Sequence, residues 1–168
     1  MRRVLVLLLL LPWVAPLAAN AEDRLSLGLN VGIFDTAAWL DDKGDFDAIE
    51  GGLTLRWPAT LVWGIGPMAG ISANDDGAFW LYAGLRRPFS LGGGWSVAPN
   101  LAVSLYEEGD GKDLGHVVEF RSGLELAFTC RSGSAVGLEF YHLSNASISD
   151  VNPGSNSLVV FYSRPLGR

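Results

Sequence analysis

The chain has 168 residues, 49% of them hydrophobic, with 18 acidic against 12 basic side chains and a formal net charge of −6. That balance excludes nucleic acid as a partner, and a single cysteine, Cys130, excludes an internal disulfide framework. Lysine occurs only at Lys43 and Lys112, too few to coat a water-facing domain of this size.

Residues 1–21, MRRVLVLLLLLPWVAPLAANA, have a basic start at Arg2 and Arg3, an apolar run, and a small-x-small end at Ala19-Asn20-Ala21. This is the pattern of a secretory signal cut before Glu22, and the apolar run is short for a spanning helix. Residues 22–168 are then one domain.

From there the chain alternates with period two, in about eight segments and with no convincing helix. The first places Leu25, Leu27, Leu29, Val31 and Ile33 on one face, against Ser26, Gly28, Asn30 and Gly32. The second sets Ile49, Leu53, Leu55 and Trp57 against Glu50, Gly52, Thr54 and Arg56. The third is read as Leu61, Trp63, Ile65 and Ile71 against Gly64, Gly66 and Gly70, and the fourth as roughly 78–88. The fifth carries Trp95 to Leu105 and the sixth Val118 to Phe128, with Glu119, Arg121 and Glu125 on its polar face. The seventh, roughly 134–144, puts Val136, Leu138, Phe140, His142 and Ser144 on one face and Ala135, Gly137, Glu139 and Tyr141 on the other. The eighth, roughly 156–165, aligns Asn156, Leu158, Val160 and Tyr162.

Alternation alone fits a soluble barrel or a membrane barrel. The polar face decides. It is rich in Gly, Ala and Ser with a few Glu and Arg, as suits the crowded interior of a small closed barrel, whereas the apolar face carries Trp57, Trp63, Trp95 and Phe128 near segment ends, as interfacial aromatics do. The expected fold is all-β, an eight-stranded antiparallel transmembrane β-barrel of the bacterial outer membrane. The connections 35–47, 72–77, 108–116 and 145–155 would then face outward, and the shorter 58–60, 89–94 and 130–133 the periplasm.

In that frame the stretch FYHLSNASISDVNPGSN, residues 140–156, puts His142 and Ser144 at the upper end of the seventh strand, on the lipid side. Residues i and i+2 of a strand share a face about 6–7 Å apart, and a hairpin brings Asn156 beside the pair. A serine hydroxyl needs a base to become a nucleophile. His142 can be that base, a third polar group can fix its tautomer, and Asn145 or the backbone amides of Ala146 and Ser147 can cradle an oxyanion. On residues alone, H-x-S is more often a polar rim without chemistry.

The longer string, HLSNASISDVNPGSNS in the last hairpin of a small exported barrel, resembles the lipid A 3-O-deacylase family of outer-membrane esterases. The resemblance covers most of the mature chain in layout and is tight across 142–156, where the family's His-x-Ser-Asn pattern matches at His142, Ser144 and Asn145. It implies Ser144 as nucleophile, His142 as base, and Asn145 and Ser147 at the oxyanion site, Ser147 standing where the pattern favours glycine. The third member in that family is typically an acid; the matching position here is Asn156, a neutral amide that can still orient a histidine. The implied substrate is lipid A of lipopolysaccharide in the outer leaflet, cut at its 3-position ester, with its chains lying against Phe140, Leu138 and Leu158, and also Val136 and Val160.

The remaining polar residues point elsewhere. Glu50, Arg56, Glu119, Arg121, Glu125 and Glu139 share the inner face and read as a buried ion-pair network. His116 and Cys130 sit by turns. No spacing of His, Cys and acids fits a metal, no cofactor is implied, and DDKGDFD (41–47) reads as a solvated loop or a weak bridge to lipopolysaccharide phosphates through cations. A homodimer is left open. Two rival readings stand: a non-enzymatic or catalytically dead barrel of the same family, and a soluble lipid-binding barrel.

Overall fold

The computed structural model describes residues 24–36 and 48–167; the signal expected over 1–21 and the DDKGDFD stretch lie outside the described residues. Among the described residues nine strands run in chain order: β1 (Ser26–Phe34), β2 (Ala48–Arg56), β3 (Gly66–Asn74), β4 (Phe79–Arg86), β5 (Phe89–Gly92), β6 (Trp95–Glu107), β7 (Val118–Thr129), β8 (Ala135–Ser144) and β9 (Ser155–Pro165). Every neighbour is antiparallel. The order β4-β3-β2-β1-β9-β8-β7-β6 closes on itself, because β4 also pairs with β6. Short β5 pairs with the start of β6, where β4 leaves off. The two are one barrel stave broken at Arg87-Pro88, where proline has no N–H for the ladder. The result is a closed eight-stranded barrel, which leaves no open edge.

The apolar face of the alternation points outward. Leu29, Val31, Leu101, Leu124, Phe140 and Val160 are exposed on the outer wall, whereas Glu50, Thr54, Arg56, Asn100, Glu125 and Glu139 are buried inside. Bare apolar walls of this extent are stable only against lipid.

The lumen is filled rather than open. Arg121 pairs with Glu139 at 2.8 Å and donates to Asn100 at the same distance. Arg56 and Arg86 both reach Glu125 at 3.3 Å. Glu50 accepts from the Tyr141 hydroxyl at 2.7 Å and from Ser157 at 2.9 Å. Glycine on the inner face makes room for rings: a β-carbon at Gly137 would come within 2.6 Å of Cζ of Phe161. The interior also holds more aromatic bulk than small-residue filling requires. Phe34, Trp80 and Tyr106 form a ring cluster near one end, Phe34 and Trp80 with centroids 5.3 Å apart.

Two expectations need correction. Leu61, Trp63 and Ile65 do not begin the third strand. Leu61 and Ile65 bridge each other across a tight 3-10 turn at Val62–Gly64, with Trp63 in the left-handed region at φ 64°. The first short connection is therefore 57–65, longer than the outer turn 75–78. The fourth segment does not run unbroken to 88; it stops at Arg86 and resumes at Phe89.

Candidate active site

The His-Ser pair lies where β8 meets the loop 145–154. Parity holds: Tyr141 and Leu143 are buried inside, and His142 and Ser144 turn to the outer wall with partial exposure. In register, His142 stands opposite Asn156 on β9 and Ser122 on β7, and Ser144 stands opposite Phe120. The side chains of His142 and Asn156 meet: Nδ1 of the imidazole is 2.9 Å from Oδ1 of the amide. An amide oxygen only accepts, so Nδ1 carries the proton and Nε2 is left as the acceptor. Ser144 shares that face two residues on, although no described hydrogen bond joins its hydroxyl to the ring; such contacts commonly tighten only with substrate bound.

Gly154 backs the ring. It is buried, has φ 64°, and a β-carbon there would lie 2.8 Å from Cε1 and 3.2 Å from Nε2 of His142. Only glycine meets both the backbone and the spatial demand. The sequence marks this residue as half of a Pro-Gly turn and gives no sign of its contact with the histidine.

Asn145 is fully buried and spends its polar groups on the loops. Its Nδ2 donates to the carbonyls of Val151 at 2.8 Å and Leu114 at 2.9 Å. Its Oδ1 accepts from the Ser147 amide at 3.0 Å, and its own amide donates to Oδ1 of Asn152 at 3.1 Å. One side chain thus ties the 145–154 loop to the β6–β7 loop, where Gly115 packs directly on the backbone of Val151. The turn it stabilises holds Ala146 and Ser147 at φ 52° and 65°, a conformation that favours glycine. With the amides of Asn145 and Ser147 engaged, Ala146 offers the backbone N–H that has no partner among the described residues.

Below the trio the wall is continuous and apolar. Phe140 faces Leu158 and Leu124, and Leu138 faces Val160 and Leu126; all are exposed. Other polar groups are not assembled here. Glu139 is inside, paired with Arg121, so the barrel wall separates it from His142. Asp150 is exposed on the loop. His116 accepts the Val118 amide through Nδ1 at 2.9 Å, a local turn contact. Cys130 is exposed in the β7–β8 turn, and no cluster of metal-ligating side chains occurs among the described residues.

The family model for lipid A 3-O-deacylase (PagL) matches residues 23–165. Among solved structures, the crystal structure of the outer membrane enzyme PagL aligns with a TM-score of 0.68 at 20% identity, covering 84% of this chain and 99% of that one. Neisserial surface protein A aligns with a TM-score of 0.58 at 7% identity, covering 84% of this chain and 97% of its own. A de novo designed transmembrane β-barrel reaches 0.57 at 8% identity, over 86% of this chain and 96% of the design. No curated protein matches the sequence.

Proposed function

The chain belongs to the lipid A 3-O-deacylase family, a family of outer-membrane β-barrels, and on that premise we propose that Ser144 and His142 hydrolyse the 3-position ester of lipid A. The observation that carries this reading is the 2.9 Å contact of His142 Nδ1 with Asn156 Oδ1 beside a serine on the same lipid-facing wall.

In this scheme lipid A lies in the outer leaflet with its chains along Phe140, Leu138 and Leu158, so no deep pocket is needed. The Ser144 hydroxyl gives its proton to Nε2 of His142 as Oγ attacks the ester carbonyl carbon. The tetrahedral oxyanion forms beside the Asn145–Ser147 turn. The Ala146 amide is the free donor there, and Asn145 holds the turn in shape. Collapse breaks the bond to the sugar oxygen, which leaves with the proton from His142. Water, deprotonated by His142, then attacks the acyl-serine and releases the fatty acid. Residues 1–21 serve as the export signal.

The test is mass spectrometry of lipid A after incubation with the refolded protein, with Ser144→Ala alongside. Loss of one hydroxyacyl chain with the wild type only is the expected result. Asn156, a neutral group where the family typically has an acid, favours a second reading, a barrel without activity. A correctly folded wild type that leaves lipid A intact would establish that alternative.

A further inference from the structure

Charge divides between the two ends of the barrel. The end with loops 75–78, 108–117 and 145–154 exposes Asp75, Glu107, Glu108, Asp110, Asp113 and Asp150. Crowding is such that the Asp113 carboxylate pushes the pKa of Glu108 above the usual range. Lys112, the cation of this end among the described residues, is paired with Asp35.

Among the described residues the opposite end exposes four arginines, Arg24, Arg87, Arg131 and Arg164. Register fixes each at the rim. Arg164 stands opposite Leu27 at the start of β1, and Arg24 precedes that strand. Arg131 lies in the β7–β8 turn, closed by the Cys130 amide on the Ser134 carbonyl at 2.7 Å. Arg87 donates its amide to Pro99 at 3.0 Å and lays its guanidinium 4.6 Å from the Phe89 ring centroid. Among the described residues this end exposes no acid; Glu125, the acid nearest it, is buried between Arg56 and Arg86. The aromatics gather here too: Trp57, Trp63 and Trp95 are exposed, and the Trp95 ring lies 5.3 Å from Phe128.

We propose that this collar of four arginines set among interfacial aromatics binds the phosphates of anionic phospholipid headgroups in the periplasm-facing leaflet. The end of an outer-membrane barrel that carries both chain ends and the inner turns faces the periplasm. Tryptophan rings sit at headgroup depth, which puts the guanidinium groups level with lipid phosphates. The planar guanidinium fork fits a phosphate through paired hydrogen bonds. The chain as a whole is acidic, at −6, so its overall field repels anionic lipid. Attraction therefore has to come from the collar, and it does not depend on the ester chemistry proposed above.

The measurement is tryptophan quenching of the protein refolded into phosphatidylcholine vesicles containing a fixed fraction of brominated lipid. That lipid is either phosphatidylglycerol or phosphatidylcholine. One arginine–headgroup contact corresponds to an enrichment of about fivefold, so brominated phosphatidylglycerol is expected to quench clearly more, and high salt to narrow the gap. Arg24→Gln, Arg87→Gln, Arg131→Gln and Arg164→Gln together should make the two lipids equal while heat-modifiable barrel migration persists. Equal quenching in the wild type overturns the proposal, as does an undiminished preference in the quadruple variant. If that variant does not form a barrel, the wild-type comparison decides by itself, and Arg131→Gln alone should already lower the ratio.

Discussion

Oδ1 of Asn156 lies 2.9 Å from Nδ1 of His142, directly across the β8–β9 register. The amide fixes the tautomer that leaves Nε2 free to take a proton. In the proposed scheme it brings no negative charge to balance the imidazolium that His142 would become. Asn156→Asp keeps the shape and adds the charge, and it is expected to raise kcat by about tenfold or more. A neighbouring carboxylate favours the charged imidazole and raises its pKa. The base then stays protonated to higher pH, so the acidic limb of kcat/KM should move upward in the variant. Asn156→Leu should lose activity by about a hundredfold, on the scale of general-base catalysis. Deacylation rates across pH on purified lipid A check all three; an unchanged rate in Asn156→Leu would remove Asn156 from the mechanism.

Gly154 leaves no space for a side chain against His142. Gly154→Ala would place a carbon 2.8 Å from Cε1 in a backbone conformation that L-residues rarely adopt. The ring must move, and a displacement near 1 Å at a reacting group costs about a hundredfold. The expected outcome is a large fall in kcat with barrel migration and lipid binding retained. Comparing kcat and KM separately is the check, because a purely structural defect would lower the folded fraction and leave KM and the per-barrel rate alone.

The barrel was legible because its two faces differ in chemistry at every second residue. Leu29 against Asn30, or Phe140 against Glu139, needs only a parity count, and the same count puts His142 and Ser144 on the lipid side. The count failed at Leu61, Trp63 and Ile65. They alternate with Gly64 and Gly66 as a strand would, but close into a turn around a left-handed Trp63. Period two records which residues differ and not which way the backbone bends. The inward Trp80 and Tyr106 were also hidden, since large rings can fill a lumen only where the facing positions happen to be small. Within the site, the residue types named His142, Ser144 and Asn156. The part played by Asn145 was not legible, because two of its partners are the backbone carbonyls of Leu114 and Val151, and a carbonyl leaves no trace in residue identity.

Asn145 is expected to act as the clip between two loops. Asn145→Asp keeps the acceptor for the Ser147 amide and removes both donors, leaving the Leu114 and Val151 carbonyls unsatisfied. A buried group without its partner costs about 1–3 kcal/mol, enough to open the loop locally without unfolding the barrel. Hydrogen exchange should therefore quicken across 145–154 and 112–117 together, with activity falling in parallel. Faster exchange in the first segment alone would show that the two loops are held by something other than this side chain.

Two buried glutamates make opposite forecasts. Glu125 serves Arg56 and Arg86, and Glu125→Gln would take from two buried guanidinium groups the carboxylate they share, at a cost of about 3–5 kcal/mol. Glu119 is fully buried, and neither carboxylate oxygen has a described hydrogen-bond partner. Glu119→Gln removes a carboxylate that no described side chain offsets, so stability should hold or rise by about 1 kcal/mol. Urea midpoints of the refolded barrels in one detergent make the comparison, with migration on unheated gels as the folding control. A lower midpoint for Glu119→Gln would mean that its carboxylate is charged and held by a partner, and the lumen's ion-pair network would then extend to the outer end of β7.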